Sequence, residues 1–140
     1  MDATNWIPQR PPFLFIDRVR TVTPGVAATT SKLVTIDEWY FAGGNGGEPL
    51  MVPTFVLTEM TAQTGAVAIL AGQHSGKNVL FGGIRQAEVL APVRPGDEIT
   101  CAVQLRKMRG PMGIGTGTLS VGTRTVYRAT LVFAVVDAEE

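Results

Sequence analysis

The spacing of apolar side chains divides the chain into short strand-like runs on either side of one long helical run. Phe13-Leu14-Phe15-Ile16 is an unbroken apolar stretch after Pro11-Pro12. Thr23-Pro24-Gly25 is turn chemistry, and Val26 to Val34 behind it is rich in Val, Ala and Thr. These two runs predict the strands of a hairpin. Thr35-Ile36-Asp37-Glu38 follows with capping-box spacing, so Thr35 and Glu38 are expected to satisfy each other's backbone donors at the start of a short helical turn. Trp39, Tyr40 and Phe41 would pack that turn down.

From Thr54 to Ala71 the pattern becomes helical, with Pro53 fit for the first helical position and Gly72 for the stop. Apolar and small residues occur on nearly every side of this segment, which predicts a helix buried all round rather than an amphipathic one. Five strand-like runs follow: Val79 to Ile84, Glu88 to Pro92, Asp97 to Arg106, Gly113 to Val121 and Thr123 to Val136. The last alternates, placing Tyr127, Ala129, Leu131, Phe133 and Val135 on one face. An early buried helix followed by a meander predicts an α+β domain whose antiparallel sheet wraps the helix. No repeat, linker or low-complexity stretch divides residues 1–140, so a single domain is expected.

Composition narrows the function classes. The 140 residues carry 12 basic and 12 acidic side chains, so no global field draws the chain onto nucleic acid or an anionic membrane. Cys101 is the only cysteine, which excludes an internal disulfide, and its neighbours give it no basic company; it reads as a buried strand residue. The start lacks the basic and apolar segments of a secretory signal, and Phe55 to Leu70 is broken by Thr58, Glu59, Thr61, Gln63 and Thr64. A cytoplasmic protein that does not span a membrane is expected.

The candidate chemistry centres on Glu59. A carboxylate on an otherwise apolar helix must be paired, hydrogen-bonded or shifted in pKa, and such groups cluster at functional sites. Gln63 lies one turn on, on the same face. A Glu-Gln pair that only fixes the helix is the competing reading. Gly43 to Gly47 is glycine-rich loop but lacks the Gly-Lys-Ser/Thr ending of a phosphate cradle. Gly113, Gly115 and Gly117 alternate on one strand face, where close packing against the helix, or else a broad tunnel, requires small residues. Arg85, Arg94, Arg106, Lys107 and Arg109 offer a basic patch for an acidic partner or for phosphate groups, unless they are simply a solvated cluster. His74, the only histidine, belongs to the Gly72-Gln73-His74-Ser75-Gly76 turn and reads as a surface residue.

Three blocks resemble a known family. Ile7-Pro8-Gln9-Arg10-Pro11-Pro12-Phe13-Leu14-Phe15-Ile16-Asp17-Arg18-Val19 is similar to the opening "LPHRYPFLLVDRV" of the FabZ-type 3-hydroxyacyl-acyl-carrier-protein dehydratases. Glu59-Met60-Thr61-Ala62-Gln63 resembles their helix motif "EALAQ". Phe81-Gly82-Gly83-Ile84 through Ala91-Pro92-Val93-Arg94-Pro95-Gly96-Asp97 resembles "GI…A.F..PV.PGD".

The resemblance implies a hotdog fold, pairing of two chains edge to edge, and a site at their interface built from a loop histidine of one chain and a helix glutamate of the other. It implies no cofactor and no metal. Glu59 takes the glutamate's place as acid or base. The histidine's place falls on Gly44 when aligned from Phe41 and Pro49, and on Asn45 when aligned back from Pro53. Neither side chain accepts a proton at neutral pH. The loop positions Gly44, Asn45 and Gly47, with Pro53 and Gln63, would border the bound thioester. The Thr54 N–H at the helix start would polarise its carbonyl; Thr54 is equally a plain helix-start residue.

Three functions follow as expectations. The first is a dehydratase-like subunit that binds acyl thioesters on acyl carrier protein or coenzyme A. It would be inactive alone and complement a second hotdog chain, as a homodimer or a heterodimer. The second is a hotdog thioesterase using Glu59 without histidine. The third is a purely structural or interaction protein.

Overall fold

A computed structural model describes residues 1–43, 49–73 and 76–138, and only the backbone of Lys107 and Met108. Gly44, Asn45, Gly47 and His74 lie outside the described residues. The described residues form six strands and one α-helix: β1 (Arg18–Thr23), β2 (Ala27–Leu33), α1 (Thr54–Ala71), β3 (Lys77–Val89), β4 (Glu98–Arg109), β5 (Met112–Val121) and β6 (Arg124–Asp137). Single 3-10 turns cover Ala3–Asn5 and Trp39–Phe41. The strands make one sheet in the order β1-β2-β4-β5-β6-β3, each neighbouring pair antiparallel. The helix lies in its concave face, as the pattern and the resemblance both led one to expect.

Helix α1 begins and ends where its sequence signals stand. Pro53 is the N-cap, in extended conformation, rather than the first helical residue, and Gly72 is the C-cap whose N–H returns to Ile69 and Leu70. Twelve of the helix residues, from Val56 to Ile69, are buried. It is the one described helix long and apolar enough to cross a membrane, with mean hydropathy 1.2, yet 67% of it is buried by the rest of the chain. A core helix and a spanning helix look alike in composition; the surrounding sheet separates them. On the sheet side the alternation of β6 is realised, with Tyr127, Leu131 and Phe133 each no more than 1% exposed.

The glycines of β5 are spaced for contact with α1. A Cβ on Gly117 would stand 2.3 Å from Thr61 Cγ2, and one on Gly115 would stand 3.1 Å from Phe133. From the helix side, a Cβ on Gly65 would fall 2.4 Å from Phe133 Cζ. These are close-packed surfaces, and the alternative of a broad acyl tunnel between β5 and α1 is excluded.

Two expectations at the element level require correction. Phe13–Ile16 is not a strand. Its backbone groups find a side-chain partner on α1 instead of a sheet neighbour, and the first strand starts at Arg18. The run Val79–Ile84 and the start of Glu88–Pro92, as far as Val89, are one strand, β3, whose pairing with β6 slips at Phe81/Gly83 and again at Ile84/Gln86. Bulges, not turns, interrupt its pattern. The capping-box expectation is met on one side: Glu38 accepts the Thr35 N–H at 3.1 Å.

Cys101 is 0% exposed and faces α1 among Thr30, Thr61 and Thr64. Burial pushes its thiol up from 9.0 to about 12, although hydrogen bonds from Thr64, Thr61 and Thr30 oppose the rise. A raised folded-state pKa means that its contribution to stability is intact below about pH 9 and is lost as pH climbs toward about 12. A disulfide-exchange reagent such as Ellman's should leave native protein unlabelled at neutral pH and release one equivalent per chain after denaturation. One equivalent from native protein would contradict the burial.

Candidate functional site

Gln63 organises the region in which the sequence placed its chemistry. Its side chain is 2% exposed. Its Oε1 accepts the Phe15 N–H at 2.9 Å, and its Nε2 donates to the Phe13 carbonyl at 2.8 Å and to Glu59 Oε2 at 3.3 Å. One amide thereby seats an extended segment that has no sheet partner and orients the carboxylate a turn away. The sequence expectation made Gln63 a ligand contact; its polar atoms are engaged by the chain itself.

Aromatic side chains complete that seat. The Phe13 ring meets Trp39 edge-on at 5.6 Å, Trp39 approaches Phe55 at 6.0 Å, and Trp39 Nε1 donates to the Pro12 carbonyl at 2.9 Å. Below them Lys32, 5% exposed on the helix-facing side of β2, is paired with Glu38. Glu38 also accepts the Tyr40 hydroxyl at 2.5 Å. Burial, then the hydrogen bond to that carboxylate, holds the Tyr40 phenol well above its ordinary value, so it remains a donor. The Trp39–Phe41 turn is thus pinned to the sheet by a buried ion pair and to α1 by rings.

Glu59 is half-buried on α1 and borders a cavity of about 70 Å³ together with Gln9, Ala62, Val79, Phe81 and Phe133. Phe81 and Val79 belong to β3, the outermost strand, so the carboxylate stands just inside the sheet's open edge. Phe81 is 41% exposed, and Leu80, Ile84 and Val89 beside it are likewise exposed. Gln9 is a site residue that sequence reasoning missed. It lies within the Ile7–Val19 block, but nothing in its neighbours reveals that the chain returns it to α1.

Thr54 stands elsewhere. It is exposed at the start of α1, where no side chain caps the helix, and its carbonyl accepts the Thr58 hydroxyl at 3.1 Å. Five residues separate it from Glu59, about 7.5 Å along the axis and about 140° around it. Neither Thr54 nor Pro53 lines the Glu59 cavity. Ala71, three residues before His74, is already about 18 Å from Glu59 along the helix, so the chain's one histidine follows the opposite helix end.

Of the arginines singled out in the sequence, Arg85, Arg106 and Arg109 converge around Ile114 on a concavity of about 480 Å³. Among the described residues no carboxylate lines it. Arg94 is apart from them, in the turn before β4, where its N–H is held by Asp97 at 2.9 Å. Among the described residues no cluster of three or more His, Cys, Asp or Glu could hold a metal ion.

A FabA-like domain matches residues 7–130 of the chain. The 3-hydroxyacyl-acyl-carrier-protein dehydratase FabZ of Chloroflexus aggregans is 46% identical over 132 residues, covering 94% of this chain and 91% of the relative. Among solved structures, the dehydratase heterocomplex ApeI:P of Xenorhabdus doucetiae superposes with a TM-score of 0.80 at 15% identity, over 98% of this chain and 92% of the other. A thioesterase from Haemophilus influenzae gives a TM-score of 0.67 at 15% identity, over 88% and 80%. These two share the fold alone; the sequence match carries more. With its helix-wrapping sheet and its resemblance along nearly the whole length, the chain belongs to the FabA-like family, as a hotdog protein of the acyl-thioester-handling group that includes the FabZ dehydratases.

Proposed function

We propose that the chain is a dehydratase-like subunit that binds 3-hydroxyacyl thioesters, is inactive or nearly so alone, and gains activity by pairing with a second hotdog chain. The observation that carries this reading is the position of Glu59. It stands in a small cavity just inside the outer edge of β3, with no histidine among the described residues that line it. Dehydration needs a base for the proton next to the thioester and an acid for the departing hydroxyl. Glu59 supplies one of the two, and the expected histidine position, Gly44 or Asn45, supplies nothing that titrates near neutrality.

The edge of β3 is suited to a partner strand. It is thirteen residues long and presents unpaired backbone groups with exposed Leu80, Phe81, Ile84 and Val89 beside them. Solitary proteins usually blunt such an edge with charge, proline or a covering segment. The opposite edge is treated in that way, for Met1 exchanges hydrogen bonds with Val19 of β1. A heteromeric partner is favoured by the likeness to the ApeI:P heterocomplex. The cavity of about 70 Å³ is too small for an acyl chain, so under this reading the chain is accommodated only once the partner is paired. The Arg85-Arg106-Arg109 concavity suits an acidic carrier protein or the phosphates of coenzyme A. A cytoplasmic setting and substrates of fatty-acid or polyketide type complete the reading.

The test is reconstitution. Purified alone, the chain should give no measurable turnover of 3-hydroxyacyl-carrier thioesters. Combined with a histidine-bearing hotdog chain from the same cell, it should co-purify and give enoyl product. Full turnover by the pure chain ends the proposal. Following free thiol in the same reactions addresses hydrolysis, the second reading, which the likeness to a hotdog thioesterase favours. Thiol release without enoyl product would establish it.

A further inference from the structure

Gln9 has a buried oxygen with nothing to bond to. Its Oε1 is the only described buried side-chain polar atom without a hydrogen-bond partner, and the residue lines the cavity that holds Glu59. Buried acceptors are normally satisfied, and an exception within a functional cavity calls for a missing donor. The segment bearing Gln9 is too firmly held to release it. Ile7 is 1% exposed, and Arg10 ties the backbone on both sides by donating to the Ile7 carbonyl at 2.7 Å, the Gln9 carbonyl at 2.8 Å and the Thr4 carbonyl at 3.3 Å.

The surrounding groups specify the donor. Gln63 lines the same space, but its amide is already engaged with Phe13, Phe15 and Glu59. Ala62, Val79, Phe81 and Phe133 offer only apolar surface. A ligand group entering here meets two polar partners, an amide oxygen that accepts and a carboxyl. A hydroxyl supplies the donor that the amide oxygen lacks. A methylene or an alkene supplies none. The space admits a few water-sized groups, enough for a hydroxyl and its carbon.

We infer that Gln9 is a specificity-determining residue of the thioester site: its side-chain oxygen accepts a hydrogen bond from the hydroxyl on the third carbon of a bound acyl chain. The inference rests on the thioester-binding reading given above and adds to it the group that separates hydroxyacyl ligands from saturated ones. A site built to bond a hydroxyl penalises the analogue lacking it, because its own polar atom is then left unpaired.

Binding by calorimetry tests this without relying on turnover. The full chain, with its partner subunit where one co-purifies, is titrated with a 3-hydroxyacyl-coenzyme A and with the saturated acyl-coenzyme A of equal length. The native chain should prefer the hydroxyacyl ligand about tenfold or more. Gln9→Leu should bind the two alike, mainly by weakening the hydroxyacyl complex. Gln9→Asn, which withdraws the oxygen by one methylene, should retain part of the preference and guards against a leucine variant that fails to fold. Binding of both ligands without preference by the native chain overturns the role of Gln9 and leaves the thioester-binding reading standing. A preference that survives in both variants likewise overturns it. Binding of neither ligand removes the inference and the reading together.

Discussion

Glu59→Gln should lower dehydration by the reconstituted pair about 10²- to 10⁴-fold, the usual cost of removing a positioned acid or base. Thermal unfolding should barely move. The carboxylate is half-buried, and its one hydrogen bond among those described is the 3.3 Å contact from Gln63, whose amide keeps its shorter bond to the Phe13 carbonyl after the exchange. Glutamine retains the size and an acceptor oxygen. A loss below about 1 kcal/mol would shift the midpoint by no more than about 2–4 °C. The alternative, in which Glu59 only fixes the helix, predicts the reverse: intact turnover with a lowered midpoint. Enoyl absorbance and a melting curve on one preparation separate the two.

The largest effect on stability is expected at a residue with no side chain. Gly117→Ala places a Cβ 2.3 Å from Thr61 Cγ2 and 3.3 Å from Val103 Cγ2. Thr61 cannot simply rotate away, because its hydroxyl donates to the Leu57 carbonyl at 2.8 Å within the buried helix. Overpacking of this kind costs about 1–3 kcal/mol, equivalent to about 3–10 °C in a chain of this size. Adding Thr61→Ser removes the offending methyl and keeps the hydroxyl, so the double variant should recover most of the loss. A coupling above about 0.5 kcal/mol between the two sites is the expected signature of direct contact. If Gly117→Ala melts with the native protein, β5 and α1 are not packed as described.

How far the sequence announced the structure depended on whether an element's partner is periodic. Helix α1 was legible to the residue because all its faces are apolar and Pro53 and Gly72 bracket it. Strand β6 was legible because one face meets the helix and every second residue records that contact. Phe13–Ile16 misled because an apolar extended run looks the same whether a neighbouring strand or one glutamine amide satisfies it. In β3, bulges at Gly82 and Arg85 shift the alternation, and a shifted alternation reads as two strands. Within the site, Glu59 stood out as a carboxylate in an apolar helix. Gln9 did not, since a glutamine between proline and arginine is ordinary until a distant helix closes over it.

The open edge of β3 also sets how much enzyme a cell could assemble. An edge accepts one strand at a time, so pairing with another copy of this chain and pairing with a histidine-bearing chain exclude each other. Under the proposed assembly, activity would follow the ratio of the two chains rather than the amount of either. Excess of this chain would titrate its counterpart into one-to-one dimers with a single complete site, and overproduction of Glu59→Gln would poison the pool in the manner of a dominant-negative allele.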